Sequence, residues 1–218
     1  MTEMTKEVSE LERLLGLPNG FYNNLLSEDD WSFVIKLSAL FEAASGQALA
    51  AKLQHPEIES ALSYLEQANP KYGKVTLMLQ LDIINKEQSS FLTKLAELRN
   101  KLIHNVSEVS FDWGSYISEM NNNQKNSFVK VFGHGIYEKF KVQGVSLNRT
   151  NFTIENPKMA IWLTANEIFA CLHADIRNSK AIQRINEIGV ELVKNITRQI
   201  HTDGKNGETF ATLQPHYF

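Results

Sequence analysis

Apolar residues recur at helical spacing over most of the chain, and the longest such pattern follows an acidic run at residues 28–30. Between about Ser27 and Leu53, one stripe repeats every three or four positions: Val34, Leu37, Phe41, Ala44 and Ala48. Phe33 and Leu40 widen that stripe. Because residues three and four apart share a helix face, the pattern predicts a central core helix. Ser27 is its predicted capping residue, and the acids after it would face the positive helix end.

A second core helix is predicted from Glu87 to about Asn105. Its apolar stripe consists of Phe91, Leu95, Leu98 and Leu102. Leu92 and Ile103 flank this stripe. We therefore expect it to pack against the first helix.

Shorter patterns predict further helices. The segment from Thr5 to Leu15 is amphipathic and ends near Gly16, a residue typical of helix ends. Another segment begins at Pro56 and ends at residues 69–70. Residues 74–84 fit both a strand and a buried helix, and we favour the helix because no strand-like partner lies nearby.

The last third of the chain is less regular before it becomes helical again. Residues 127–137 predict a short helix, and residues 138–156 predict a small hairpin or an ordered loop. Pro157 fits the first turn of a further helix. Whether this helix and the apolar segment around residues 185–196 form one helix or two is left open. The whole pattern predicts an all-α bundle: one domain over residues 1–203, followed by a flexible tail over residues 204–218.

Composition is that of an ordinary globular protein, with 218 residues, 43% of them hydrophobic and 22% charged. The net charge of -3 argues against a basic nucleic-acid-binding domain, so any contact with nucleic acid would be local. The single cysteine, Cys171, can form no internal disulfide. No secretion signal or membrane-length apolar run is apparent, so we expect a cytoplasmic protein without a membrane contact.

Most sequence signals for catalysis are absent. The chain has no glycine-rich phosphate loop, nucleophile elbow, paired metal-binding histidines or cysteine cluster, so we expect no metal and no cofactor. Cys171 and His173, on an apolar helix, are interpreted as packing residues, and most other histidines as solvated or capping residues.

One polar group stands out late in the second core helix, over residues 99–104. Arg99 and His104 lie about 140° apart on an ideal helix, whereas Asn100 and His104 share a face. Arg99 adjoins the apolar stripe, where a guanidinium needs a partner. The alternative interpretation is an arginine reaching solvent and a histidine at the negative helix end.

The arrangement of Arg99, Asn100 and His104 resembles the motif of HEPN domains, in which an arginine and a polar residue precede a histidine. The stretch over residues 74–113, including Ser110-Phe111-Asp112, is similar to the mannitol operon repressor branch of that superfamily. Residues 156–159, at the start of a long apolar helix, are also similar to it.

The resemblance implies a HEPN-like helical bundle that forms a homodimer with its motif helices adjacent. It further implies a composite ribonuclease site without metal, in a toxin or phage-defence protein that acts on RNA. Arg99, Asn100 and His104 would be the catalytic residues, and Lys101 would contact RNA. An antitoxin or regulatory protein is a frequent partner in this superfamily. The alternative that the resemblance implies is a non-catalytic regulator that dimerises and binds a partner.

Overall fold

The computed structural model describes residues 3–142 and 144–207, and at positions 106, 142 and 200–207 it describes the backbone only. The first half contains six α-helices: α1 (Glu3–Leu14), α2 (Phe21–Asn24), α3 (Asp30–Lys52), α4 (Glu59–Leu62), α5 (Lys74–Gln80) and α6 (Lys86–Ile103). The second half contains α7 (Trp113–Ser118), α8 (Asn122–Phe132), the strands β1 (Lys139–Val142) and β2 (Val145–Asn148), α9 (Arg149–Glu155) and α10 (Pro157–Gly207). The predicted all-α class is confirmed.

The chain divides into two compact units, one ending at Arg177 and the other beginning at Asn178. This boundary lies inside the single domain predicted over residues 1–203. Of the predicted tail, residues 204–207 continue α10, whereas residues 208–218 lie outside the described residues.

The central helix α3 is buried along the predicted stripe. Phe33, Val34, Leu37 and Ala44 have no exposed surface. The helix is long and apolar enough to cross a membrane, but 67% of its most apolar window is buried inside the protein. Core packing therefore accounts for its composition without a membrane.

The predicted cap of α3 is wrong. The Asp29 carboxylate accepts a hydrogen bond from the Ser32 backbone N–H at 2.8 Å. Ser27 instead ends a single 3-10 turn that begins at Leu25. Both positions fit a capping pattern, and the turn places the carboxylate at the first free N–H groups.

Helix α6 packs on α3, as predicted, and is fixed at its start by a reciprocal capping box. Asn85 accepts from the Gln88 backbone N–H, and the Gln88 side chain accepts from the Asn85 N–H. The Phe41 ring meets the Phe91 ring edge-on with centroids 5.7 Å apart. Ile103, predicted to flank the buried stripe, is 39% exposed, whereas its neighbour Leu102 is buried.

The ambiguous segment at residues 74–84 is helical over α5, as favoured by the sequence. The helix ends at Gln80, and Asp82 follows with a φ of 54°. Ile83 and Ile84 remain buried beyond the helix end. The strand-like alternation thus reflects a short buried helix followed by an apolar turn.

Residues 121–156 contain more helix than the sequence pattern predicts. Helix α8 begins at Asn122 because Asn121 and Gln124 form a second capping box. The predicted hairpin is present, with Lys139 opposite Asn148 and Gly144 in its turn at a φ of 84°. Asn148 then caps α9, a helix that the sequence pattern did not indicate.

Helix α10 begins at Pro157, as predicted, and continues as one helix to Gly207, which decides between the two open alternatives. Its first part buries a row of apolar residues: Ala160, Ile161, Ala165, Ile168, Phe169, Leu172 and Ile176. His173 is buried, as predicted for a packing residue. The interpretation of Cys171 as a core residue is wrong, because its position on the helix faces solvent.

Candidate functional site

The residues of the predicted site lie on the last turn and a half of α6, where the helix leaves the core. Leu98 and Leu102 are buried and fix this part of the helix on the bundle. Between them Arg99 is partly exposed and Asn100 is exposed, and His104 is an exposed residue at the helix end. The apolar stripe thus determines which side chains of the motif remain open to solvent.

Arg99 and Asn100 form a direct contact. The Arg99 Nη1–H donates to the Asn100 Oδ1 at 3.1 Å. The Asn100 backbone carbonyl accepts from the His104 N–H at 3.3 Å, which places these two residues on successive turns. In this geometry the Asn100 side chain orients the guanidinium rather than the imidazole.

The His104 ring has no hydrogen-bond or ion-pair partner within the described part of the chain. It is not joined to Arg99, as expected from their separation around the helix. An exposed imidazole with both nitrogens open can donate or accept a proton. The chain therefore presents one imidazole that can exchange a proton and one cation oriented by Asn100, and the two are not in contact.

Lys101 faces a polar groove beside the motif. Its Nζ lies 5.7 Å from the centroid of the Tyr116 ring, within cation–π range. The groove has a volume of about 330 Å³ and is lined by Lys101, Ser107, Glu108, Ser110, Phe111, Asp112, Ser115, Tyr116 and Glu119. Three carboxylates among these residues make the groove a poor surface for a phosphate backbone.

Ser110, Phe111 and Asp112, in the turn after α6, each make a contact that stabilises the local structure. Asp112 accepts from the Ser115 N–H at 2.8 Å and caps α7, and this hydrogen bond holds the pKa of Asp112 below its ordinary value. The Phe111 ring packs edge-on against Trp113. Ser110 donates to the Ser107 carbonyl. These residues shape the wall of the groove through capping and ring packing.

The start of α10 is held by an ion pair to the start of α3. The Lys158 Nζ lies 2.8 Å from the Asp30 carboxylate and also donates to the Glu28 carbonyl oxygen at 2.6 Å. The same carboxylate accepts from the Trp113 backbone N–H at 2.9 Å. Lys158, within the segment 156–159 singled out in the sequence, and Asp30 therefore connect the starts of α10, α3 and α7.

A buried ionic cluster joins α1 to α10, and sequence reasoning missed it. His173 Nδ1 lies 2.5 Å from Glu7 Oε2, and Arg177 donates to Glu7 Oε1 at 2.6 Å. These partners lie 166 and 170 residues from Glu7 in the chain, so no local pattern links them. The hydrogen bond from His173 is the main cause of the lowered pKa of Glu7, and burial opposes it.

Among the described residues, one group has the side chains that a metal ion could use: Glu7, Glu10 and His173, whose ligand atoms lie within 4.8 Å of one another. Arg177 already neutralises the Glu7 carboxylate at close range. A guanidinium at this distance opposes a bound cation. We interpret the group as a stabilising ion-pair network.

A second polar group lies between α6, α8 and α10. The His134 Nδ1–H donates to the Val131 carbonyl at 2.9 Å, because a carbonyl oxygen can only accept. Its Nε2 lies 3.7 Å from Glu167 Oε2. Gln88 donates to the other oxygen of that carboxylate at 3.3 Å. The group connects three helices of the bundle at a distance from the α6 end.

Cys171 lies beside this second group. Desolvation raises the pKa of its thiol, and the nearby Glu167 carboxylate raises it further. A thiol with a raised pKa is a weak nucleophile. The raised pKa therefore disfavours Cys171 as a catalytic thiolate.

No family model, curated protein or solved structure matches this chain.

Proposed function

We propose that the protein is a metal-independent endoribonuclease of the HEPN type. The observation that carries the proposal is the exposed set of Arg99, Asn100 and His104 at the end of a helix that is otherwise fixed in the core. A cytoplasmic toxin or phage-defence role, with an antitoxin as partner, belongs to the same proposal.

The chemistry uses the RNA as its own nucleophile. The 2'-hydroxyl oxygen attacks the adjacent phosphorus, the bond from phosphorus to the 5'-oxygen breaks, and a 2',3'-cyclic phosphate forms. His104 takes the 2'-hydroxyl proton or gives a proton to the leaving 5'-oxygen. Arg99, held by Asn100, binds the phosphate oxygens and stabilises the charge that develops on them.

A homodimer completes this site. The reaction removes one proton from the nucleophile and gives one to the leaving group, and it is most efficient when two acid–base groups share these tasks. Each protomer offers one such group, His104. A two-fold axis beside the end of α6 would bring two copies of Arg99 and His104 to one phosphate. Lys101 would contact the RNA at the edge of this site.

The test is cleavage of cellular RNA by the wild-type protein in the presence of EDTA. We expect products that end in a 2',3'-cyclic phosphate or its hydrolysis product. His104→Ala and Arg99→Ala should each abolish cleavage because both groups act on the same transition state. His55→Ala is the matched control, since His55 is an exposed histidine that pairs with Glu57 away from α6.

A substrate with deoxyribose at the cut position should resist cleavage because the attacking 2'-hydroxyl is missing. Equal cleavage of the deoxy-substituted substrate would contradict the mechanism. Loss of activity in His55→Ala to the same degree as in His104→Ala would contradict the site.

The second candidate function is a non-catalytic regulator that uses the same bundle to dimerise and bind a partner. The three carboxylates in the groove beside Lys101 and the net charge of -3 favour it, because both disfavour RNA at this surface. An intact dimer that cleaves no RNA in these assays would support the regulator.

A further inference from the structure

The last part of α10 carries a row of aliphatic side chains that are largely exposed. Seven of them are more than half exposed: Ile182, Ile185, Ile188, Val190, Leu192, Val193 and Ile196. All lie in the unit that begins at Asn178. Isolated apolar residues on a surface are ordinary, but a contiguous row is a feature of interaction sites.

These side chains form one face of the helix. At about 100° per residue, five of the seven and Gly189 fall within an arc of about 100°, and Ile188 and Val190 flank that arc. We call this arc the aliphatic stripe; its members are Ile182, Ile185, Gly189, Leu192, Val193 and Ile196. The spacing of 3, 4, 3 and 4 from Ile182 through Ile185, Gly189 and Leu192 to Ile196 is that of a helix that packs against another helix.

The charged residues of the same segment lie on the opposite face: Lys180, Arg184, Glu187, Glu191, Lys194 and Arg198. On the same helical projection they occupy an arc of about 80°. The segment is therefore a helix with one face for water and one for an apolar partner.

We propose that the aliphatic stripe is an interaction surface for a second copy of this chain, in which two helices from residues 182–196 pack side by side. The seven exposed residues offer at most on the order of 700 Å² per copy, which approaches the roughly 800 Å² per partner of a standard stable interface. The apolar area is therefore large enough for self-association. This contact is separate from the one proposed beside the end of α6. A chain that uses both contacts forms assemblies larger than a dimer, and Leu192→Lys removes only the contact through the stripe.

Two details of composition favour a helix from a second copy over a lipid surface. Apart from Gly189, the stripe and its flanks consist of isoleucine, valine and leucine, with no aromatic residue, and β-branched residues are well suited to helix–helix cores. The polar face has Glu187 and Glu191 near its middle, whereas helices that lie on membranes have mainly basic polar faces.

Gly189 would allow the two helices of such a pair to approach closely. Nothing lies within 4 Å of the position that its Cβ would occupy, so no contact in the described structure requires a glycine there. In the middle of the stripe, the missing side chain lets the backbone of a second helix approach closely.

The test is the mass of the full chain, measured by light scattering over a dilution series at micromolar concentrations. Wild type is compared with Leu192→Lys, which puts a charge in the stripe and keeps a good helix former. Gln183→Lys is the matched control, because it places the same charge outside the stripe, next to the charged face. We expect Leu192→Lys to weaken self-association on the order of 100-fold or more, and Gln183→Lys to leave it unchanged.

A cross-linking measurement locates the contact. In a Cys171→Ser background, Gly189→Cys and Leu192→Cys should each join two copies through a short bis-maleimide, and Gln183→Cys should not. Adding His104→Ala to the Gly189→Cys and Leu192→Cys variants should not change their cross-linking. The result therefore does not depend on whether the protein cleaves RNA. Unaltered helicity by circular dichroism shows that each variant is folded.

Three outcomes would overturn the proposal. The first is a wild-type chain that stays monomeric at the highest concentration tested. The second is equal self-association of Leu192→Lys and wild type together with no cross-link through the stripe. The third is a monomer that sediments with anionic lipid vesicles through the same residues, which would assign the stripe to a membrane surface.

Discussion

At the scale of single residues, the protein uses its histidines in opposite ways. His173 is buried, and its Nδ1 forms a hydrogen bond with the Glu7 carboxylate, which also binds Arg177. His104 is exposed, and its ring has no partner among the described residues. A buried and satisfied imidazole stabilises the fold, whereas an open one is free for proton transfer.

The Glu7 cluster should make the protein sensitive to acid. The pKa of Glu7 is lowered in the folded chain, so the unfolded chain binds more protons once the pH falls below the ordinary value of 4.5. The stabilisation is fully present above that value and is lost as the pH falls through the folded pKa. Denaturant unfolding from pH 7 downwards should therefore show a free energy of unfolding that declines below about pH 4.5.

Glu7→Gln should flatten this acid limb and lower the free energy of unfolding at neutral pH by about 2 kcal/mol, because it removes charged hydrogen bonds. Glu10→Gln is the matched control on the same helix, since Glu10 lies 4.0 Å from His173 and is more exposed than Glu7. An acid limb of unchanged slope in Glu7→Gln would show that other carboxylates control acid stability.

At the scale of elements, α6 combines a structural face with an open end. Leu95 is 1% exposed and packs within the core, whereas the side chain of His104 lies beyond the last helical turn. Fold and proposed chemistry therefore depend on different residues of one helix.

Leu95→Ala should cost about 2–5 kcal/mol of unfolding free energy because it leaves a cavity in a packed core. His104→Ala should change that free energy by less than about 0.5 kcal/mol, as is usual for an exposed site. Thermal or denaturant melts measure both. The reverse ranking would make the α6 end a structural feature.

The start of α3 provides a second test at this scale. Asp29→Ala should lower the unfolding free energy by about 1 kcal/mol, because it removes the side-chain acceptor for the Ser32 N–H. Ser27→Ala should have little effect, since Ser27 belongs to the preceding turn. Equal losses in denaturant melts of the two variants would contradict the assigned cap.

At the scale of the whole molecule, the proposed ribonuclease depends on contributions from two chains. If two protomers share one phosphate, inactive chains can complement each other. Mixed Arg99→Ala and His104→Ala protomers should recover measurable cleavage after unfolding and refolding together, at less than half of the wild-type rate, because at most about half of the dimers are mixed and each of these retains only one copy of each group. Each variant refolded alone is the control. A mixture as inactive as its components would place both groups of a working site in one chain.

Local sequence patterns predicted several elements correctly for an identifiable reason. The core positions of α3 and α6, the first turn of α10 and the hairpin follow from periodicity and from the preferences of proline and glycine, which act within a few residues. The same local rules selected Ser27 instead of Asp29 as the cap, because both precede the helix with a suitable side chain. They also missed α9, whose seven residues are too few to establish a period.

What the sequence by itself determined is the all-α class, the burial of the two central helices, and which residue types stand at the end of α6. Only the tertiary structure decided which of those residues are exposed, that Asn100 contacts Arg99, and that Glu7 meets His173 and Arg177. It also decided that Cys171 faces solvent and that the stripe on α10 lies uncovered. The physical reason is range: helix periodicity and capping depend on neighbours in the chain, whereas burial and ion pairing depend on residues that meet only when the helices pack together.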